Sequence, residues 1–125
     1  MAKNINLTEA EEKLANLIWR EGAILSPDLV ELAGKELGWK KSTTYTILRK
    51  LCDKGVLKNE NTQVSALLTR EEQMARQSKH YIEDAFGGSL PRFVASFFRG
   101  GNLSPEEVSE LRRLIDEYDE DEVND

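Results

Sequence analysis

The chain has 125 residues, of which 39% are hydrophobic and 32% charged, and a formal net charge of −6. This composition suits one or two small globular units and is too polar for a membrane-embedded protein. No run approaches the roughly 18 apolar residues of a membrane span, no apolar export segment follows Met1, and Cys52 has no second cysteine for an internal disulfide, so a cytoplasmic protein without membrane insertion is expected.

The first helix is predicted to open at Thr8-Glu9-Ala10-Glu11, where the Thr hydroxyl can accept from the third helical residue while Glu11 reaches back. Leu14, Leu17, Ile18 and Trp19 follow at helical spacing, and Glu21-Gly22 supplies the stop. Ser26-Pro27-Asp28 repeats a start signal, with Ser26 as the expected cap and Pro27 where a missing N–H costs nothing; Leu29, Leu32, Ala33 and Leu37 form the buried stripe. Gly38 to Lys41 is a tight connection. Lys41 or Ser42 then opens a third helix that turns Ile47, Leu48 and Leu51 inward and stops at Gly55.

Val56-Leu57, a polar turn over Asn59 to Thr62, and Val64 to Leu68 read as a two-stranded ribbon. Three helices followed by a hairpin is the winged-helix order. Thr69 to Glu72 is a second capping box, opening a helix whose Met74, Tyr81, Ala85 and Phe86 are available for packing until Gly87-Gly88 breaks it. Ser89 caps a helix rich in Phe that ends at Gly100-Gly101, and Leu103-Ser104-Pro105-Glu106-Glu107-Val108 starts the last one, followed by an acidic tail from Asp119 to Asp125 expected to fray. The fold class is therefore mainly α: a winged helix-turn-helix over residues 1–69 and a helical dimerisation region over residues 70–125. Phe93, Val94, Phe97, Phe98, Leu111, Ile115 and Tyr118 exceed what so small a helical segment can bury alone, which makes them the expected homodimer surface.

Catalysis needs converging acid, base or nucleophilic groups, and this chain has one His and one Cys in different predicted elements. Neither has metal-ligand spacing to a partner, and there is no phosphate-binding glycine motif, so no enzyme activity, cofactor or metal is expected. His80 and Cys52 are read as ordinary solvated or packed side chains.

The stretch from Trp39 to Leu51 carries a different pattern. A helix that enters the major groove needs short hydrogen-bonding side chains in its first turns and cations beside them for phosphate. Ser42, Thr43 and Thr46 supply the former, with Tyr45 among them, and Lys40, Lys41, Arg49 and Lys50 the latter. Three Thr in four positions are poor helix formers, which points to selection for contact rather than stability. The charge distribution agrees: residues 1–68 carry ten Lys/Arg against nine Asp/Glu, residues 69–125 seven against fourteen. Double-stranded DNA is the expected partner of the first half only. The competing reading is a winged-helix protein-interaction module with an acidic tail and no sequence-specific DNA binding.

At these residues the chain resembles the penicillinase repressor (BlaI/MecI) family over nearly its whole length. Leu7-Thr8-Glu9-Ala10-Glu11 with Leu17-Ile18-Trp19 is similar to the family's opening, Trp39, Thr43, Thr46, Leu48, Leu51 and Lys54-Gly55 to its recognition-helix pattern, and Gly87-Gly88-Ser89-Leu90 with Leu103 to Glu107 to the joints of its dimerisation region. The resemblance implies a homodimeric repressor on a pseudo-palindromic operator, controlling genes of the β-lactam-resistance type, with a membrane antirepressor protease as a further partner. It places the family's proteolytic cut, between an Asn and a Phe, at Ser96-Phe97, where Ser departs from the pattern. The wing departs as well: Asn61-Thr62-Gln63-Val64 lacks the family's basic residue, implying fewer phosphate contacts there.

Overall fold

The computed structural model describes residues 4–124, and its chain divides into two compact units, Met1–Tyr81 and Ile82–Asp125. In the first unit, helix α1 (Glu9–Glu21) starts on a complete capping box: Thr8 Oγ1 accepts from the Glu11 amide at 3.2 Å, and Glu11 Oε1 accepts from the Thr8 amide at 2.9 Å. Its inward face contributes Leu14, Ala15, Leu17 and Ile18 to the core.

Strand β1 (Ile24–Leu25) was not legible in the sequence, and it changes how α2 (Ser26–Leu37) begins. Ile24 pairs with Val64 and Leu25 with Gln63, while the Ser26 amide donates to the Thr62 carbonyl at 2.7 Å. The extended residue before the helix is therefore Leu25, which takes the cap position without a side-chain bond. Ser26, expected as the cap, is instead a buried first-turn residue. Leu29 and Ala33 of α2 complete its share of the core.

Between α2 and α3 (Lys41–Asp53), Gly38 adopts φ 71°, ψ 22°, the left-handed conformation that lets the chain turn out of a helix within one residue. Thr44, Leu48 and Leu51 of α3 are buried, and Ile47 only partly so. Strands β2 (Leu57–Glu60) and β3 (Gln63–Ala66) form the hairpin, with Leu57 opposite Ala66 and Glu60 opposite Gln63. The expected ribbon is thus part of a three-stranded antiparallel sheet in the order β1-β3-β2, with β2 running on to Glu60 rather than stopping at Leu57, and β3 starting one residue and ending two residues earlier than expected. Val56 precedes the strand and is buried, its carbonyl accepting from the Leu67 amide at 2.8 Å. Asn61 and Thr62 turn the hairpin with φ of 52° and 63°, the positive values a tight type I′ turn requires.

Helix α4 (Arg70–Phe86) opens on the expected capping box between Thr69 and Glu72, but it packs differently from its apolar pattern. Met74, Tyr81 and Ala85 are exposed, whereas Gln73 is buried with 1% of its surface accessible. The polar side binds inward because it has backbone partners there: Gln73 Nε2 donates to the Ile5 carbonyl at 2.9 Å and Arg76 Nη2 to the Lys54 carbonyl at 2.7 Å. The first unit extends through Tyr81.

In the second unit, α5 (Leu90–Gly100) is capped by Ser89, whose Oγ accepts from the Arg92 amide at 3.2 Å. Helix α6 (Pro105–Asn124) starts on a reciprocal Ser104–Glu107 box with both bonds at 3.1 Å. It stays helical through the residues expected to fray, as far as Asn124; Asp125 lies outside the described residues. Phe93 packs edge-to-face on Phe86, with ring centres 5.4 Å apart, and tilted on Phe97 at 6.3 Å. No described helix is long and apolar enough to cross a membrane.

Candidate nucleic-acid interface

The interface is built on α3, whose two sides differ in kind. Thr44, Leu48 and Leu51 face the core, and the Thr44 hydroxyl donates to the Lys40 carbonyl at 3.2 Å. Burial of its polar atom is thereby satisfied inside the helix. On the other side Lys41, Ser42, Thr43, Thr46, Arg49 and Lys50 are all exposed, with exposed Lys40 at the cap. Positions 42, 43, 46, 49 and 50 fall at the i, i+1, i+4, i+7, i+8 spacing that shares one helical face. Of the expected contact residues, Tyr45 is set apart: it is half-buried and packs against the core.

Charge pairing separates two populations of cations. Arg20 forms a two-bond pair with Glu36 at 2.9 and 2.5 Å, which raises the arginine's pKa and lowers the glutamate's. Lys54 is held by Glu11 at 2.5 Å and the Asn6 carbonyl at 2.7 Å. Lys40, Lys41, Arg49 and Lys50 form no ion pair among the described residues. A cation without an internal carboxylate has nothing to surrender when it meets phosphate. The start of α3 strengthens this surface. It carries no acidic residue in its first turn and no side-chain cap, so its leading amide groups remain available to an anion.

The third helix and the wing flank a groove of about 550 Å³ lined by Tyr45, Arg49, Cys52, Lys58, Glu60 and Leu67. Lys58, absent from the sequence-based set, is the wing's one cation, and it pairs with Glu60 at 3.7 Å, which cancels most of its field. The sparse wing expected from Asn61 to Val64 is therefore close to neutral even with Lys58 counted. In the same groove Cys52 is half-buried, and burial together with the Asp53 carboxylate pushes its thiol above the usual range, which disfavours the reactive thiolate. Among the described residues no cluster of three or more His, Cys, Asp or Glu is arranged to hold a metal ion.

Three helices, a wing and an exposed third-helix face of short hydroxyls and unpaired cations define a winged helix-turn-helix DNA-binding protein. The sequence profile of the penicillinase repressor family matches residues 7–117, and the chain belongs to that family. The family is one of transcriptional repressors, not of enzymes. Similar proteins include a penicillinase repressor of Bacillus licheniformis, 24% identical over 122 residues that cover 94% of this chain and 95% of the relative. The methicillin resistance regulatory protein MecI of Staphylococcus aureus is 25% identical over 117 residues, 90% of this chain and 95% of that one. The solution structure of the DNA binding domain of the repressor BlaI aligns with 58% of this chain and 93% of its own, at 25% identity and a TM-score of 0.49.

Proposed function

We propose that this repressor acts as a homodimer on a pseudo-palindromic operator, each protomer placing α3 in a major groove. The observation that carries the reading is the exposed face of α3 opposite Thr44, Leu48 and Leu51. Ser42, Thr43 and Thr46 meet base edges, and Lys40, Lys41, Arg49 and Lys50 meet phosphates. The Thr46 hydroxyl donates to the Ser42 carbonyl at 2.9 Å, so toward DNA it offers an acceptor and a methyl group, while Thr43 keeps both donor and acceptor.

Dimerisation is supported by what the second unit leaves uncovered. Phe97, Phe98, Leu111, Ile115 and Tyr118 are 40–69% exposed in the single chain. Phe97, Leu103 and Leu111 floor a groove of about 570 Å³ rimmed by Glu106, Glu107 and Glu110. Two-fold symmetry would set two α3 helices on half-sites about 34–36 Å apart. By extension from the names of its relatives, a penicillinase repressor and a methicillin resistance regulatory protein, the regulated genes are of the antibiotic-resistance type; a membrane antirepressor protease as the inducing partner is what the family resemblance adds. Ser96-Phe97 is the candidate bond for its cut: both residues are exposed, and α5 has no buried side chain to oppose local unwinding. Recovery of only intact chain from β-lactam-induced cells would remove proteolysis from this scheme.

The decisive measurement is binding of the full chain to duplexes selected from a random pool, as a function of salt. A selected two-fold sequence with strongly salt-dependent affinity is expected. Arg49→Ala should weaken binding to all duplexes and reduce the slope of log affinity against log salt by about one. A stable dimer that binds no DNA at low salt would favour the protein-interaction module instead.

A further inference from the structure

The groove between α3 and the wing brings three charges of unequal standing to one surface. Arg49 of α3 is exposed and forms no ion pair among the described residues, whereas Lys58 of β2 shares the groove with Glu60 of its own strand. Residues two apart in a strand project from one face of the sheet, and the Lys58 ammonium lies 3.7 Å from the Glu60 carboxylate. From Leu57 to Ala66 the sequence carries no other charge.

Stability does not account for this pair. Both side chains are exposed, at 46% and 71%, and ion pairs in such positions add little to a fold. What the pair does alter is the potential that a DNA strand meets. Phosphates engaged by Arg49 enter the groove that Glu60 lines, and charges within roughly 8–10 Å of one another are only partly screened by salt. The carboxylate therefore repels the incoming backbone and also holds the one wing cation that could bind it. Sequence-independent affinity follows the number of phosphates neutralised, so the loss of one contact weakens binding to every duplex.

We propose that Glu60 is an electrostatic brake on DNA binding: it keeps Lys58 from phosphate, so that one winged helix holds a lone half-site weakly and firm occupancy requires two. The inference rests on the proposed two-headed binding to DNA. The brake acts within each head, whatever the arrangement of the pair. Once one head is bound, the second binds at a high effective concentration, so a weak head still gives a tight dimer. Half-sites scattered elsewhere offer no second contact, and they stay empty.

The test titrates the full-length chain and its Glu60→Gln, Lys58→Gln and double variants, over a range of salt, with a short duplex carrying one half-site, a random duplex and the selected operator. Glu60→Gln should raise half-site and random-duplex affinity about fivefold, raise operator affinity further, and steepen the salt slope for the half-site by about one. Lys58→Gln alone should change binding less than about twofold, and added to Glu60→Gln it should remove most of the gain. Tm should stay at the parent value in all three, with Glu60→Ala as a second neutral variant. Parent-like affinity and slope in Glu60→Gln overturn the proposal and leave the DNA-binding reading intact. So does a slope lowered by about one in Lys58→Gln alone, which would mean that Lys58 already meets phosphate, and so does a full gain that persists without Lys58. Because β2 is an outer strand of the sheet, charge there can also guard a free edge. A gain found only where sedimentation shows self-association of the variant would assign Glu60 that role and overturn the brake. A parent that binds no duplex at low salt refutes the DNA-binding reading itself, and the brake with it.

Discussion

The two units spend their apolar residues differently. In the first, Leu14, Ile18, Leu29, Leu51, Val56, Leu57 and Val64 are essentially inaccessible, contributed by three helices and a sheet that enclose one another. In the second, α5 has no buried side chain at all, and Ile115 and Tyr118 of α6 are more than two-thirds exposed. Side-chain caps occur in both units, at Thr8 and Thr69 in the first and at Ser89 and Ser104 in the second, while α2 and α3 of the well-buried first unit have none, so the contrast does not come from local helix signals. It comes from the number of elements available to cover each face: a short helical unit cannot enclose an apolar stripe unless another surface is supplied. One unit has finished its core within the chain, while the other presents an unfinished one.

The largest effect should appear where the first unit's core is polar. Replacing Lys54 by Met leaves the Glu11 carboxylate buried without its partner and should cost about 3–5 kcal/mol, read by thermal denaturation. Burial opposes ionisation of Glu11, but the bonds from Lys54 and Thr8 outweigh it and hold the carboxyl below its ordinary value. Its contribution is therefore complete above the unfolded carboxyl value of about 4.3 and is lost as pH falls through the lower folded value. Glu11→Gln should remove that part of the acid dependence, and an identical acid profile in the variant would assign the pair no such role.

The opposite behaviour is expected in the second unit. Ile115→Asp alters a site that is already 67% exposed, so the fold of a single chain should change by only about 0.5 kcal/mol or less. Sedimentation should nevertheless show a monomer, and affinity for a two-half-site duplex should fall by about a hundredfold or more. A persisting dimer at micromolar concentration would show that this face is merely solvated, and the contrast between the units would lose its functional meaning.

A smaller effect is expected on α3. Thr43→Ala should cost about 1–3 kcal/mol in discrimination between operator and altered sequence. Thr46→Ala should cost less, because its hydroxyl hydrogen is already committed to the Ser42 carbonyl. The reverse ranking in competition binding would mean that the helix turns a different edge to DNA. Smallest of all, Thr62→Gly relieves a β-branched residue held at φ 63° in the hairpin turn, against the backbone entropy of glycine. A gain below about 1 kcal/mol in urea unfolding is expected, with DNA binding unchanged.

Interactions spanning three or four residues could be read directly from the sequence. The boxes at Thr8–Glu11, Thr69–Glu72 and Ser104–Glu107 form as their spacing requires, and the Gly22 stop falls where expected. The exposed face of α3 was legible for the same reason: helical periodicity fixes which residues oppose Leu48 and Leu51 once the helix is placed. Tyr45 and Lys58 were not, because the half-burial of one and the ion pairing of the other depend on neighbours outside their own turn.

Other features needed the closed fold. β1 is two residues long, too short for any alternating pattern, and exists because β3 presents a free edge to it. Gln73 turns inward while Met74 turns out because carbonyls of the arm, 68 residues away in sequence, offer the amide a bond that water would otherwise supply. The pairing of Lys54 with Glu11 bridges 43 residues and leaves no trace in local spacing. The sequence alone determined where the boxed helices α1, α4 and α6 start and which side of α3 is exposed, since those follow from chain geometry within a few turns. Only the tertiary structure decided which polar groups are buried and how α4 is fixed to α3, because desolvation is set by whatever the rest of the chain brings alongside.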